Sequence, residues 1–395
     1  MKLQKQHWLF KLSLLSVSVL LMSAPIISAA LPLMFTDFPD QSKSAIETLL
    51  TVPNFGIILA LLISPLCIRF FWKKNTVILG LCIALVSGIL PAIINNYSMI
   101  LASRFMFGAG IGLFNSLAVS LLAEFYQGDE LSTMMGYQSV AGSLGSAALS
   151  FLISYLVTLG WHQTFWAYLI IIPVLLLFSF FVTIDEKKAA TTSKAAAPEK
   201  ITFNLAVIGL SVLIFFLFAF FMTSVVKLPE FIVSSGIGST SSVSISAGLS
   251  TLVGIPIGLF YGKIHKLLKQ TLLPLGLLLA AIGFFIISKS SNLPILIIGV
   301  LLIGIGFGAS VPFIYTWTAK VAPKNAINIS YTCLIIATNI GVFFSPILLN
   351  TLGNLFGNSS PAFSMLVASG GFLALAVVMG TSLLIKEKNR SLLKN

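Results

Sequence analysis

At 395 residues, 57% of them hydrophobic and only 9% charged, and with a mean hydropathy of +1.03, the chain is too apolar for a water-soluble protein, because soluble domains carry roughly 25% charged residues. Its formal net charge of +12 raises a nucleic-acid partner, but the basic residues form no single patch. They fall in short clusters between apolar runs, as in the cytoplasmic loops of membrane proteins.

The chain opens on Lys2, Lys5 and Lys11 and an apolar run over 12–35. That run is too long for the apolar core of a signal peptide and reads as a first transmembrane helix. Further apolar segments follow at 48–68, 75–94, 97–123, 131–159 and 163–184, and a second six at 201–226, 241–262, 271–288, 293–319, 325–352 and 359–385. Lengths of about 20 residues match a hydrocarbon core of about 30 Å. Between the sixes lies the polar, Ala-rich stretch Ile184 to Lys200. The pattern predicts an all-α integral membrane protein of twelve helices: a bundle over 1–184, a cytoplasmic linker over 185–200 and a second bundle over 201–395. Nineteen basic residues fall on one side of the membrane, against Lys43, Lys227 and Lys289 on the other. Both termini are therefore expected in the cytoplasm, in a multi-pass protein of the cell membrane.

Taken in order, the second segment ends in SPLCIRFFWKKN, Ser64 to Asn75, with Arg69, Lys73 and Lys74 clustered at its end. The fourth carries LASRFMFGAGIGLFNS, Leu101 to Ser116, with Arg104 inside an apolar run and Gly108, Gly110 and Gly112 behind it. A charge at membrane depth is costly unless it is paired or faces water, so Arg104 is a functional candidate. On a helix Arg104, Gly108, Ile111 and Asn115 share a face, which is expected to look inward. The alternative is a guanidinium that satisfies carbonyls at a helix junction. The loop after this fourth segment offers Glu124, Asp129 and Glu130 and no basic residue.

The halves repeat. Gly108, Gly110 and Gly112 recur as Gly304, Gly306 and Gly308, and Gly145 recurs as Gly341, all 196 residues on. Ser64 to Lys73 is echoed by Gly258 to Leu267 at an offset of 194. Internal repeats are the usual construction of secondary transporters. Val300 stands where a second Arg104 would be, so the charge is particular to the first half.

On these residues the chain resembles the major facilitator superfamily, in its bacterial twelve-helix type, over nearly its whole length. Arg104 with the three glycines is similar to that family's fourth-helix motif, whose arginine the resemblance implicates in proton handling. SPLCIRFFWKKN is similar to the family's gating loop, Gly-x-Leu-x-Asp-Arg-x-Gly-Arg-Lys: Leu66, Arg69 and Lys73 fit it, while Ile68 replaces the Asp, Ser64 and Phe71 replace glycines and Trp72 replaces an arginine. Glu124 is either a substitute partner for Arg69 or Lys73 or a solvated interfacial glutamate. GWHQTFWAY, Gly160 to Tyr168, looks like the family's Gly-Trp-Arg-x-x-Phe entry to the sixth helix, with His162 for the arginine. Gly145 is followed by Ser146 rather than the proline of family antiporters, so that motif gives antiport no support.

Pro25, Pro32, Pro53, Pro256, Pro312 and Pro346 interrupt spans, where freed carbonyls are tolerated if they line a cavity. Asn54, Asn115, Gln138, Tyr315, Trp317 and Asn339 are the candidate cavity groups, and Glu47, Lys227 and Lys320 lie near span ends, where they are expected to snorkel. His265 reads as an interfacial basic residue ahead of a proton relay. So apolar a cavity suits a small amphiphilic or weakly anionic organic solute better than a sugar or a dication. With no mid-span carboxylate, a proton site would use Asp37, Glu47, Glu124 or the substrate itself. The expected function is secondary active transport by alternating access, with protons as the expected coupling ion and export slightly favoured. An uptake permease for a small metabolite and a non-transporting membrane sensor are the alternatives. Isolated histidines and the absence of hydrolase and nucleotide-binding motifs speak against an enzyme. Cys67, Cys82 and Cys333 have no metal-like spacing, so no metal or cofactor is expected; the expected partners are solute, coupling ion and lipid, around a monomer.

Overall fold

A computed structural model describes residues 8–21, 23–183, 204–323 and 327–392, and every regular element among them is helical. The chain divides into two compact units, Met1–Glu199 and Lys200–Asn395. The expected linker, 185–200, lies outside the described residues.

In the first unit α1 is two pieces, Trp8–Leu20 and Ala24–Asp37, bent by 50°. A single helix over 12–35 was expected. Its second piece starts as a 3-10 turn, Ala24–Ala30, with Pro25 in the first turn, where a missing N–H costs least. The next helix runs without a loop over Lys43–Ile89, but Trp72 inside it has φ 67° and ψ 164°. Straight, those 47 residues would be about 70 Å long, over twice the membrane core. Gly56 and Gly80 show what happens instead. About 36 Å apart on a straight helix, they lie against neighbouring residues of one short stretch: a methyl group added to Gly56 would come 2.8 Å from Ala109 N, and one on Gly80 2.6 Å from Gly110 O. The chain reverses at Trp72 into two spans, α2 (43–71) and α3 (73–89). There follow α4, Tyr97–Phe125, α5, Gly128–Leu156, and α6, Trp161–Phe181.

The second unit has the same order: α7, Leu205–Ser234; α8, Thr240–Leu268; α9, Leu272–Lys289; α10, Leu293–Val321; α11, Ile327–Leu355; and α12, Pro361–Leu392. Here Lys269, at φ 48°, makes the turn between α8 and α9. Among the described residues nine helices are long and apolar enough to cross a membrane, ten with bent α1, and two of the nine are 50 residues long. Dividing those two at Trp72 and Lys269 gives twelve segments.

The repeat extends from sequence to contacts. Gly110 meets Gly80 and Ala84 of α3, and Gly306 meets Gly276 and Ala280 of α9, every pair 196 residues apart. Gly145 meets Val19, and Gly341 meets Phe215, at the same offset. Asn96 caps α4 by accepting from Met99 N at 3.1 Å, and Asn292 caps α10 by accepting from Ile295 N at 3.0 Å. Small residues let helices approach where lipid supplies no hydrophobic force between them. The glycine ladder of α4 is therefore two-sided: Gly108 and Gly112 seat α2, while Gly110 seats α3.

Two expectations about charges fail. Glu47 is 0% and Lys227 2% exposed, so neither snorkels. The sequence puts Lys227 at a span end, but α7 breaks at Lys227 itself and resumes over Leu228–Ser234 with Pro229 in its first turn, where a missing N–H costs least. Its ammonium donates to Asn350 Oδ1 of α11 at 2.6 Å. Lys320 is exposed, as expected.

Candidate functional site

Arg104 sits on α4, 0% exposed, and all three of its guanidinium nitrogens donate to neutral oxygens. Nε donates to Leu49 O at 3.1 Å, Nη1 to Tyr168 Oη at 3.1 Å and Nη2 to Ala24 O at 2.6 Å. Each acceptor has a local cause. In an α-helix the Leu49 carbonyl would receive the N–H of residue 53, but that residue is proline, so the carbonyl is free for Arg104. Ala24 lies at the bend of α1, and the Tyr168 hydroxyl that faces Arg104 donates onward to Ser23 O at 3.1 Å, at the same bend. One turn beyond Arg104, Gly108 lies against the Pro53 backbone so closely that any β-carbon would overlap it. Proline, arginine and glycine thus form one joint between α2 and α4. The second half has Val300 for the arginine and Leu249 for the proline at the 196-residue offset, and lacks the joint.

Around the charge stand Phe107, Phe165 and Tyr168, their ring centres 4.9, 5.9 and 5.7 Å from the guanidinium carbon. Ring faces attract cations, more strongly when water is excluded. Among the described residues no carboxylate pairs with Arg104. The arrangement joins α1, α2, α4 and α6 through a positive charge held by dipoles.

At the other end of α4, Lys73 Nζ lies 2.7 Å from Glu124 Oε2, each side chain 26% exposed. This ties the first turn of α3 to the end of α4 beside the reversal at Trp72. Lys74 Nζ donates to Ser179 O near the end of α6 at 2.7 Å, and Ser64 Oγ to Leu113 O of α4 at 3.3 Å. Arg69 is exposed and has no partner among the described residues. Of the expected proton carriers, Asp37 accepts from Trp161 Nε1 at 2.5 Å, Glu124 is paired with Lys73, and Glu47 is enclosed on α2.

The candidate cavity groups scatter. Asn54 and Asn339 bond within their own helices, to Thr51 O at 3.3 Å and Ile335 O at 2.8 Å. Asn115 and Gln138 are half-buried on α4 and α5. Tyr315 lies with its ring centre 5.9 Å from that of Tyr331. Trp317 lines a cavity of about 800 Å³ inside the second unit, which touches neither Tyr315 nor Asn339. The residues that sequence reasoning missed are Tyr168, seen only as part of an interfacial motif, and Pro53 as the partner of Arg104. The signal for Pro53 was a proline inside an apolar span, which frees the carbonyl of Leu49.

Comparison with known proteins agrees with this architecture. The profile of the Major Facilitator Superfamily matches residues 13–346. A protein of Staphylococcus epidermidis named "Probable nitrate transporter NarT" is 25% identical over 392 residues, 95% of this chain and 96% of its own. Among solved structures, the nucleoside transporter NupG, in a single-substitution variant, superposes with a TM-score of 0.76 at 13% identity, over 94% of this chain and 99% of its own. A D-xylose-proton symporter gives 0.70 at 17% identity, over 94% and 97%. At such identities these structures bear on the fold alone.

Proposed function

The chain belongs to the major facilitator superfamily, and we propose that it is a proton-coupled importer of a small monovalent anion, of the nitrate or weak organic acid type. As a family member it is a membrane transporter and not an enzyme. The observation that carries the choice of anion is the sign of the enclosed charge: Arg104 and Lys227 are buried cations, against the single buried carboxylate Glu47 among the described residues. A cationic interior disfavours a cationic solute and lowers the cost of desolvating an anion. The relatives named as nitrate transporters support the same class.

The direction follows from the coupling. A monovalent anion entering a cell with a negative interior moves against about 2.3 kcal/mol per 100 mV. A nearby anion favours the protonated form of a carboxylate, so anion and proton bind together and travel together, inward with the proton gradient. This replaces the slight preference for export drawn from the sequence. In this reading Glu47 carries the proton and Arg104 holds α1, α2 and α6 to α4 in one state of the alternating cycle, and Lys73 with Glu124 latches the end of α4. Both termini and the 185–200 linker lie in the cytoplasm, where the basic residues concentrate.

The experiment is anion uptake into proteoliposomes under an imposed pH gradient, with Glu47→Gln as the variant. Wild-type protein is expected to accumulate nitrate or a small carboxylate when the outside is acid. Glu47→Gln is expected to lose accumulation yet keep anion exchange at equal concentrations on both sides. Equal gradient-driven accumulation by wild type and Glu47→Gln would remove Glu47 from the mechanism.

A further inference from the structure

The second unit has an open-mouthed cavity of about 800 Å³ where the ends of α8 and α10 meet the starts of α7 and α9 and the end of α12, with Lys266, Lys269 and Lys320 exposed at its mouth. Three ammonium groups line it, those of Lys266, Lys269 and Lys320, together with the imidazole of His265, and among the described residues no carboxylate does. Like charges gathered around one space repel unless an anion joins them. His265 Nδ1 is buried without a hydrogen-bond partner among the described residues, its ring stacked on Tyr261 at 5.8 Å and leaning on Phe313 at 5.6 Å. A buried imidazole nitrogen left unpaired is costly.

The remaining walls are apolar, with Leu210, Leu213 and Phe313 among them. The polarity is graded along the helices. Lys266, Lys269 and Lys320 stand in the last turns of α8 and α10 or just past them, while Leu213 and Phe313 lie further into the spans. That is the order of a lipid, charged at the interface and apolar below it. The volume far exceeds what an inorganic oxyanion fills and suits a ligand with a tail.

The geometry points to a binding site for an anionic amphiphile, its head group held by Lys266, Lys269, Lys320 and His265 and its tail against Leu213 and Phe313. Basic pockets between transmembrane helices at the cytoplasmic face hold anionic head groups in this way. Two sources share the chemistry, an anionic phospholipid of the inner leaflet and a soluble organic anion with an alkyl chain. The site goes beyond the transport reading and is tested without flux, so either can fail alone.

The test is native mass spectrometry of the purified full chain loaded with phosphatidylglycerol or phosphatidylcholine, alongside thermal-shift titration with decanesulfonate. Phosphatidylglycerol is expected to be retained about tenfold better than phosphatidylcholine. The triple variant Lys266→Gln, Lys269→Gln and Lys320→Gln is expected to remove that preference. Lys263→Gln, on the same helix end but outside the lining, is the control for general surface charge and should keep it. A stabilising shift by decanesulfonate that the triple variant loses, without preferential retention of phosphatidylglycerol, supports the site and assigns it to a soluble anion. No preference for either anion, or a preference lost equally in Lys263→Gln, overturns the proposal. A reversible melting transition in the triple variant shows that it is folded.

Discussion

Arg104 directs each of its three guanidinium nitrogens at an oxygen of a different helix. Leu49 O is freed by Pro53, Ala24 O lies at the bend of α1, and Tyr168 Oη is anchored to that bend through Ser23. Lysine has one charged nitrogen and cannot reproduce the planar fork. Arg104→Lys and Arg104→Ala are therefore both expected to lower the melting temperature and to reduce anion uptake at least about tenfold, with a stability cost of about 1–3 kcal/mol. Uptake at the wild-type rate by Arg104→Ala would show that the charge is not needed for transport, and by Arg104→Lys that the fork is not. Pro53→Ala gives a second approach at the same scale. Restoring the N–H lets the helix reclaim Leu49 O, so uptake is expected to fall although no charge has changed. The presence of Arg104 as a special residue was legible in the sequence, because an arginine in an apolar run stands out. Its partners were not, because two of the three are backbone carbonyls, one freed by Pro53 on another helix and one at a bend some 80 residues earlier in the chain.

At the scale of helices, the glycine ladder explains why α4 is held between α2 and α3. Gly108→Val would drive a side chain into the Pro53 backbone, which cannot rotate away as a side chain can. The expected result is a loss of folded protein in detergent, since overpacking costs about 1–3 kcal/mol or more. Gly136→Val, on α5 with nothing within 4 Å, is expected to leave folding unchanged, as size-exclusion profiles of the two variants would show. The Lys73–Glu124 pair behaves differently. At 26% exposure on each side it contributes on the order of 0.5 kcal/mol to stability, yet it joins two helix ends beside the sharp reversal at Trp72. Lys73→Gln and Glu124→Gln are expected to melt like wild type but to change the transport rate alike. The exchanged pair, Lys73→Glu with Glu124→Lys, should restore the rate, and failure of that rescue would separate the ion pair from gating. Sequence alone located these two residues and left Glu124 with two readings. It also expected a loop where the helix instead continues to Trp72 and turns within one residue, because helix-forming apolar residues run up to the turn itself.

For the molecule as a whole, two helical units built on one plan were legible in hydropathy and in the glycine offset. The contacts extend that plan to helix pairs and caps at a spacing of 196 residues. What distinguishes the halves is chemistry laid on a shared frame: Pro53 and Arg104 in the first, and Lys227 with a lysine-lined cavity in the second. Buried Glu47 and Lys227 escaped the sequence reading because their distance from a helix end was misjudged, and burial near a span end depends on how far neighbouring helices extend. The central claim is that this frame moves a small anion inward together with protons. The most direct measurement is nitrate accumulation in proteoliposomes with an acid exterior, with and without a protonophore. The account expects internal nitrate to rise above the external concentration and to fall back when the protonophore is added. Nitrate and small carboxylates that only equilibrate, indifferent to the pH gradient, would contradict it.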